Sequence, residues 1–160
     1  MLGTSILTRQ DPRRHAAGTL IADIFKARYG AQVSSFPAIV IAKFDTDNRP
    51  VCAAGLRFTN DGFFSEQYLD DSAERVISSA SGLKVGREEL FAVTSLASRD
   101  VRHTVTFVRA IIFCRQISGY GWSFFTLTTR MSRMLSHLGI DLTYLARAER
   151  HRIPGRYRLG

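Results

Sequence analysis

Residues 89–96 read ELFAVTSL and are followed by the loop ASRDVRH at 97–103, the largely apolar run 104–118, the turn GYG at 119–121 and a second apolar stretch, WSFFTL, at 122–127. Two short apolar runs on either side of an apolar run of helical length predict a strand–helix–strand unit with parallel strands. At the junction between the first strand and the helix that follows it, free backbone N–H groups and the helix dipole favour negative charge. We therefore expect the functional centre near Leu96 to Thr104.

The chain before this unit predicts one helix and an antiparallel layer. Asp11 and Pro12 are typical of a helix start, and Gly30 is a natural stop. The stretches that predict antiparallel strands are 36–44, 51–58 and 63–69. Gly55 inside the second of these indicates a bulge or a close approach by another backbone.

The remaining segments complete a mixed α/β fold. The sequence predicts a short helix at 72–80 and another helix that follows the apolar stretch 122–127 and ends at Leu138. A final strand is predicted at 140–146 (IDLTYLA). We expect a mixed sheet, antiparallel in its N-terminal part and parallel in its centre, with flanking helices. We further expect a single domain at 1–146 and a basic tail at 147–160.

Composition excludes several classes of protein. A chain of 160 residues with 45% hydrophobic and 22% charged residues is typical of a globular fold. No apolar run is long enough to span a bilayer, and the first residues lack the pattern of a secretory signal, so we expect a cytoplasmic protein. The scattered histidines predict no metal site, and Cys52 and Cys114 are expected to be core thiols.

The net charge of +8 is unevenly distributed. Residues 1–98 carry eleven basic and eleven acidic side chains, whereas residues 99–160 carry eleven arginines and three acids. This asymmetry favours a polyanionic partner, and arginine suits phosphate in particular. The alternative is a solvated basic face with an arginine preference set by genome composition. Residues expected to contact a nucleic acid or carrier are Arg130, Arg133, Arg147, Arg150, Arg152 and Arg156.

Several motifs give the chain a family resemblance. EQYLD at 66–70, FAVTSLA at 91–97, GW at 121–122, TLT at 126–128 and the helix at 131–138 closing on a glycine resemble the thermostable hemolysin family. That family has a fold like that of the GNAT N-acyltransferases, and acyl-homoserine-lactone synthases are similar in layout. The loop at 97–104 departs from the GNAT pattern, because it lacks the glycines that cradle a pyrophosphate.

The resemblance implies roles for named residues. Ser95, Leu96 and Ala97 would pair with the arm of an acyl donor between two splayed strands. Arg99, Arg102, Thr104 and Thr128 would also contact the donor. Glu66 or His103 is expected as the proton acceptor, and Tyr68, Thr128 or Ser132 as the proton donor to the leaving group. Structural roles compete with each assignment.

Those structural roles are specific. Glu66 would be a buried partner of Arg57 or Arg87, Tyr68 a core residue and His103 a loop residue near a helix cap.

Three functional hypotheses follow. The first is an enzyme of GNAT type that joins an activated acyl or aminoacyl group to a small-molecule amine. Its donor would be aminoacyl-tRNA, acyl carrier protein or a coenzyme A thioester, used as a co-substrate, with no tightly bound cofactor. The second is a non-catalytic basic module that binds tRNA or another nucleic acid. The third is a membrane-active, hemolysin-like protein.

Overall fold

One five-stranded mixed sheet forms the centre of the molecule. The computed structural model describes residues 3–152, apart from the side chains of Gln116, Ile117 and Arg150. The strands are β1 (Gly3–Leu7), β2 (Ile39–Phe44), β3 (Pro50–Arg57), β4 (Leu90–Ser98) and β5 (Trp122–Phe125), and they lie side by side in this order. The first four strands are antiparallel neighbours, and β4 pairs with β5 in parallel. The predicted fold class is confirmed.

Four α-helices cover the two faces of the sheet. They are α1 (Arg14–Tyr29), α2 (Ala73–Ser81), α3 (Val101–Ile117) and α4 (Thr129–His137). Helix α1 packs on one face, against residues of β2 and β3, and α2 packs on the same face, against β4 and β5. Helix α3 lies on the opposite face, where Phe107 and Ile111 are fully buried. Burying each of these two side chains contributes about 1.5–3 kcal/mol.

Successive side chains of β4 face opposite sides of the sheet. Leu90 and Ala92 face α2, whereas Phe91 and Val93 face α3. Because both faces of β4 are covered, its sequence is a nearly continuous apolar run rather than an alternating one. The central position of this strand was therefore predictable from residues 89–96.

Two predicted strands are absent from their predicted positions. Residues 63–69 form a turn of 3₁₀ helix (Phe64–Tyr68) rather than an antiparallel strand. Local hydrogen bonds stabilise it: the Glu66 N–H donates to the Phe63 carbonyl and the Leu69 N–H donates to the Glu66 carbonyl. Residues 140–146 are irregular rather than a final strand.

The 140–146 segment contacts the core through Ile140, which is buried, and through Leu142 and Leu145, which are half-buried. Ile140 is buried against Val108 and Leu135, and its N–H donates to the Leu135 carbonyl. Most of the residues that follow are exposed, and Tyr144 is among the most exposed large side chains. Strand β5 is therefore the edge of the sheet in the part of the chain that the structure describes.

The other differences concern element boundaries and one additional strand. Strand β1 was not predicted, because only Leu7 of its five residues is fully buried and the sequence GTSIL alternates weakly. Helix α1 begins at Arg14, since the Asp11 carboxylate accepts the Arg13 N–H just before it. The predicted stop at Gly30 is confirmed, with φ of 61°. Cys52 is a buried free thiol, and Cys114 is half-buried and also free.

Candidate active site

Strand β4 extends beyond the end of its parallel neighbour β5. Their parallel pairing runs from Leu90–Trp122 to Val93–Phe125 and stops there, although β4 continues to Ser98. From Phe125 the chain leaves the sheet and enters α4. Ligands of open α/β sheets commonly bind at such a point, outside the carboxyl ends of neighbouring strands.

A β-bulge in β4 lies just beyond the last residue pair of β4 and β5. Between Gly55 and Ala53 the β3 side advances by two residues, while β4 advances by three, from Thr94 to Ala97. The extra residue is Ser95, whose φ of 52° lies in the left-handed region that L-residues rarely adopt. Sequence analysis anticipated a bulge at Gly55, and the structure places the inserted residue opposite it, on β4.

Gly55 is also a point of close approach. A Cβ atom at this position would lie 2.7 Å from Pro37 Cγ and 2.7 Å from Thr94 Oγ1. The three predicted donor-binding residues Ser95, Leu96 and Ala97 thus lie together at the bulged end of β4. Ala97 is buried, and the other two are half-buried.

The start of α3 differs from the predicted anion site. Asp100 caps this helix, and its carboxylate accepts the Arg102 backbone N–H at 2.8 Å and the Arg102 Nε–H at 2.9 Å. The hydrogen bond from Arg102 lowers the pKa of Asp100 to about 2. A negative charge of the protein itself therefore occupies the position where a ligand phosphate was expected.

This cap affects the residues that were predicted to contact a phosphate of the donor. Arg102 is paired with Asp100, and Thr104 is buried beneath the first turn of α3. Arg99 is exposed. Thr128 caps α4, with its hydroxyl accepting the Met131 N–H at 3.2 Å. The roles of these residues in donor binding stay predictions. The start of α3 is less suited to bind a phosphate than the sequence suggested.

Glu66 lies in an ion-pair cluster. Its carboxylate accepts two hydrogen bonds from the Arg87 guanidinium, each 2.7 Å, and one from the Ala73 N–H, also 2.7 Å. Arg87 also pairs with Glu74 at 2.9 Å, and its guanidinium lies 4.5 Å from the centroid of the Phe63 ring. The hydrogen bonds from Arg87 lower the pKa of Glu66, and those from Glu66 raise the pKa of Arg87. A carboxylate with a lowered pKa is a weak base.

The contacts of Glu66 thus match the structural alternative from the sequence, with Arg87 rather than Arg57 as its partner. Arg57 instead donates to the Asp61 carbonyl. His103 lies in the first turn of α3, where its N–H donates to the Asp100 carbonyl. Tyr68 is half-buried, and burial raises the pKa of its phenol.

A large open cavity of about 1440 Å³ lies along β5, α4 and the segment 139–151. Its lining includes Ser65 and Tyr68 from the face of the sheet that α2 covers, and Arg109 and Ile112 of α3 from the opposite face. The cavity therefore passes around the edge of β5 and connects the two faces. The hydroxyls of Ser65 and Thr126 are hydrogen-bonded at 3.0 Å on its wall.

Charged side chains of both signs line this cavity. The cationic and acidic residues among its lining are Arg109, Arg115, Arg133, Asp141, Arg147, Glu149 and His151. Of the residues predicted to contact a carrier, Arg133 and Arg147 therefore share one surface, while Arg130 is exposed and is not part of this lining. Arg156 and the side chain of Arg150 lie outside the described part of the chain.

Arg152 attaches the C-terminal segment to the rest of the site. Its guanidinium donates to the Tyr68 carbonyl at 2.8 Å and pairs with the Asp70 carboxylate. One residue earlier, His151 Nε2 lies 3.5 Å from Glu149 Oε2. Arg109, Arg115 and the Glu149–His151 pair were not predicted as site residues, because their proximity depends on the path of residues 140–151, of which 140–146 were predicted to be a strand and the rest part of a basic tail.

A five-stranded mixed sheet, antiparallel in its N-terminal part and parallel at β4–β5, with helices on both faces, is a GNAT-like fold. The chain belongs to the thermostable hemolysin family, whose model matches residues 7–158. Within residues 3–152, no helix has the length and apolar character needed to cross a membrane.

Two solved structures share this fold. TofI in a ternary complex with an inhibitor and MTA is 16% identical, with a TM-score of 0.65, and the match covers 89% of this chain and 82% of that one. The apo form of TofI is 17% identical, with a TM-score of 0.63, and the match covers 86% and 77%. None of the curated proteins matches the sequence. At such identities, the similarity to TofI shows the fold.

Proposed function

We propose that this protein is an N-acyltransferase that moves an activated acyl or aminoacyl group from a carrier to a small-molecule amine. The observation that supports this most directly is the end of the β4–β5 pairing at Val93 and Phe125, beside the bulge at Ser95. TofI, which shares the fold, was solved in a ternary complex with an inhibitor and MTA, and acyl-homoserine-lactone synthases are similar to this chain in layout. The proposal extends that similarity to a general reaction class and leaves the substrates to experiment.

The splayed strands provide a place for the donor arm. Beyond Val93 no residue of β5 pairs with β4 in the described chain, so backbone groups near Leu96 and Ala97 are available to an amide-containing arm. Holding the thioester or ester carbonyl there would fix the donor relative to the acceptor. Such positioning supplies much of the acceleration when the acyl group is already activated.

The charges favour a macromolecular donor over free coenzyme A. The loop before α3 has no glycine, and the Asp100 carboxylate fills the start of that helix, which disfavours a pyrophosphate. In contrast, Arg109 and Arg133 lie on the α3 and α4 walls of the cavity. Their guanidinium groups suit the phosphate or acidic surface of an acyl carrier protein or an aminoacyl-tRNA.

Transfer from three labelled donors tests the proposal. The donors are octanoyl-coenzyme A, octanoyl-acyl carrier protein and a pool of aminoacyl-tRNA, each incubated with a panel of primary amines. We expect amide product from at least one carrier-borne donor, with a KM that rises steeply with salt. Absence of amide product with all three donors would reject the enzyme.

The charge asymmetry also favours a second function, a non-catalytic basic module. Eleven arginines against three acids after residue 98 would suit a polyanion without any chemistry. Tight, salt-sensitive binding of tRNA without turnover from any donor would support this module. Liposome leakage at low protein concentration would instead support the membrane activity that the family name suggests.

A further inference from the structure

We propose that His151, oriented by Glu149, accepts the proton that the acceptor amine must lose during acyl transfer. This inference rests on the proposed N-acyltransferase function. It assigns a catalytic role to two residues of the C-terminal segment that no sequence motif indicated. It also makes the part of the cavity beside Tyr68 the subsite for the amine.

The reaction needs a base, and the side chains expected from the sequence are poorly suited. Glu66 is held by Arg87, and its pKa is lowered, so its carboxylate has little tendency to take a proton. His103 lies in the first turn of α3 and is not among the residues that line the cavity. His151 lines it, and imidazole is the side chain that exchanges a proton most readily near neutral pH.

The geometry around His151 fits a base with a partner. Its Nε2 atom lies 3.5 Å from Glu149 Oε2, so a carboxylate lies beside the imidazolium that forms when a proton arrives. We assign the other ring nitrogen, Nδ1, as the atom that accepts the proton. The carboxylates of Glu149 and Asp141 also favour an approaching cationic amine, because both line the same cavity.

A second, independent feature fixes this pair in place. The next residue, Arg152, donates to the Tyr68 carbonyl at 2.8 Å and pairs with Asp70. These contacts join the C-terminal segment to the 3₁₀ helix at the cavity wall, so His151 lies beside that wall although 72% of its side chain is exposed. An amine bound over it would displace water from the imidazole.

The cationic amine first passes one proton to His151 Nδ1, and the imidazolium releases it to the solvent. The neutral amine nitrogen then attacks the acyl carbon, a C–N bond forms, and the bond between the acyl carbon and the carrier sulfur or oxygen breaks. A second proton leaves the nitrogen for His151 Nδ1 and passes to the departing thiolate or alkoxide. No oxidant, metal or further co-substrate enters.

Replacement of His151 provides the test, with His137 at the exposed end of α4 as the matched control. In the three-donor assay we expect His151→Asn to lower kcat about 100-fold at pH 7, with the donor KM within about twofold of wild type. The His137→Asn variant should match the wild type. Adding imidazole to His151→Gly should restore activity at least about tenfold, which a purely structural role would not allow.

The pH profile gives a further readout. Wild-type kcat should rise with pH across the range in which histidine loses its proton, and this limb should disappear in His151→Asn. In the Glu149→Gln variant, kcat should still rise with pH but should be lower than in the wild type. Other ionisable side chains that line the cavity are Tyr68, Arg109, Arg115, Arg133, Asp141, Tyr144 and Arg147.

The outcomes separate the two proposals. A wild type that forms amide, together with a His151→Asn variant within threefold of it or with an unchanged pH limb, would overturn the role of His151 alone. A variant that is slow but is not rescued by imidazole would also overturn it. A wild type that forms no amide from any donor would reject the proposed function and this inference with it.

Discussion

Replacing Glu66 by glutamine tests whether this residue maintains the fold or performs the chemistry. The substitution keeps the shape of the side chain and removes its charge. In the structure the carboxylate accepts two hydrogen bonds from Arg87 and one from the Ala73 N–H, all 2.7 Å. Arg87 retains Glu74 as a partner at 2.9 Å, so the substitution does not leave its charge unpaired.

The magnitude follows from these contacts. A hydrogen bond to a charged group is worth about 1.5–3 kcal/mol, and an amide oxygen can replace only part of what the carboxylate accepts. The pair is partly exposed, with 22% of the Glu66 side chain and 31% of the Arg87 side chain accessible, so solvent screening reduces the value. We expect a loss of about 2 kcal/mol and a Tm lower by about 4–8 °C for a chain of this size.

Urea and thermal unfolding measure this loss directly. Glu88→Gln is the control, because Glu88 is exposed on the 3₁₀ helix next to Arg87. The free energy of unfolding of this variant should stay within about 0.5 kcal/mol of wild type. Because the folded-state pKa of Glu66 is lowered, its contribution is fully present above the pKa of the unfolded chain. It is lost as the pH falls through the folded value, so wild type and Glu66→Gln should converge in stability on acidification.

The competing role predicts a different pattern. A general base gives a large loss of kcat with little change in stability. If Glu66→Gln retains wild-type stability and loses amide formation about 100-fold at a temperature far below its Tm, the structural assignment is refuted. Retained turnover, within about threefold, in a destabilised variant would support it.

Three further substitutions probe the geometry of the site. Gly55→Ala should lower stability by about 1–3 kcal/mol in urea unfolding, since its Cβ would lie 2.7 Å from the Pro37 ring, and an unchanged midpoint would contradict this. Ser95→Gly should raise stability by roughly 0.5–1 kcal/mol, because glycine adopts a φ of 52° without the Cβ penalty, whereas Ser95→Val should lower it. Arg152→Gln should increase hydrogen exchange in residues 140–151 by roughly tenfold relative to an Arg130→Gln control, through loss of the contacts to Tyr68 and Asp70, and equal exchange would refute this anchoring role.

The sequence predicted best the part of the chain whose structure is set by local pattern. The β4–α3–β5 unit combines apolar runs of the right lengths with a turn, so its order and parallel pairing followed from residues 89–127. Gly30 ended its helix as predicted, because only a left-handed residue fits there. The bulge was anticipated through Gly55, although the inserted residue lies on the neighbouring strand.

The failures have a common cause in contacts between distant residues. Residues 63–69 alternate like a strand, but Glu66 finds Arg87 and Ala73, and these partners favour a compact turn over an extended one. Residues 140–146 also alternate, but Ile140 and Leu142 pack against one hydrophobic cluster and Leu145 against another, so the pattern did not add a strand to the short β5. The Glu149–His151 pair was not predictable, since its place in the cavity depends on the path of this irregular segment.

Part of the basic charge that follows residue 98 lies around one cavity. Arg109, Arg115, Arg133 and Arg147 line this cavity, whereas Arg99, Arg102 and Arg130 lie outside its lining. The first three belong to α3 and α4, and the C-terminal segment contributes the carboxylates of Asp141 and Glu149 together with Arg147. An anionic carrier and a cationic amine need opposite surroundings, and amide formation needs them side by side. The same arrangement explains why neutralising the α3 and α4 arginines should raise the KM for the donor, while neutralising Glu149 should act on the amine and on kcat.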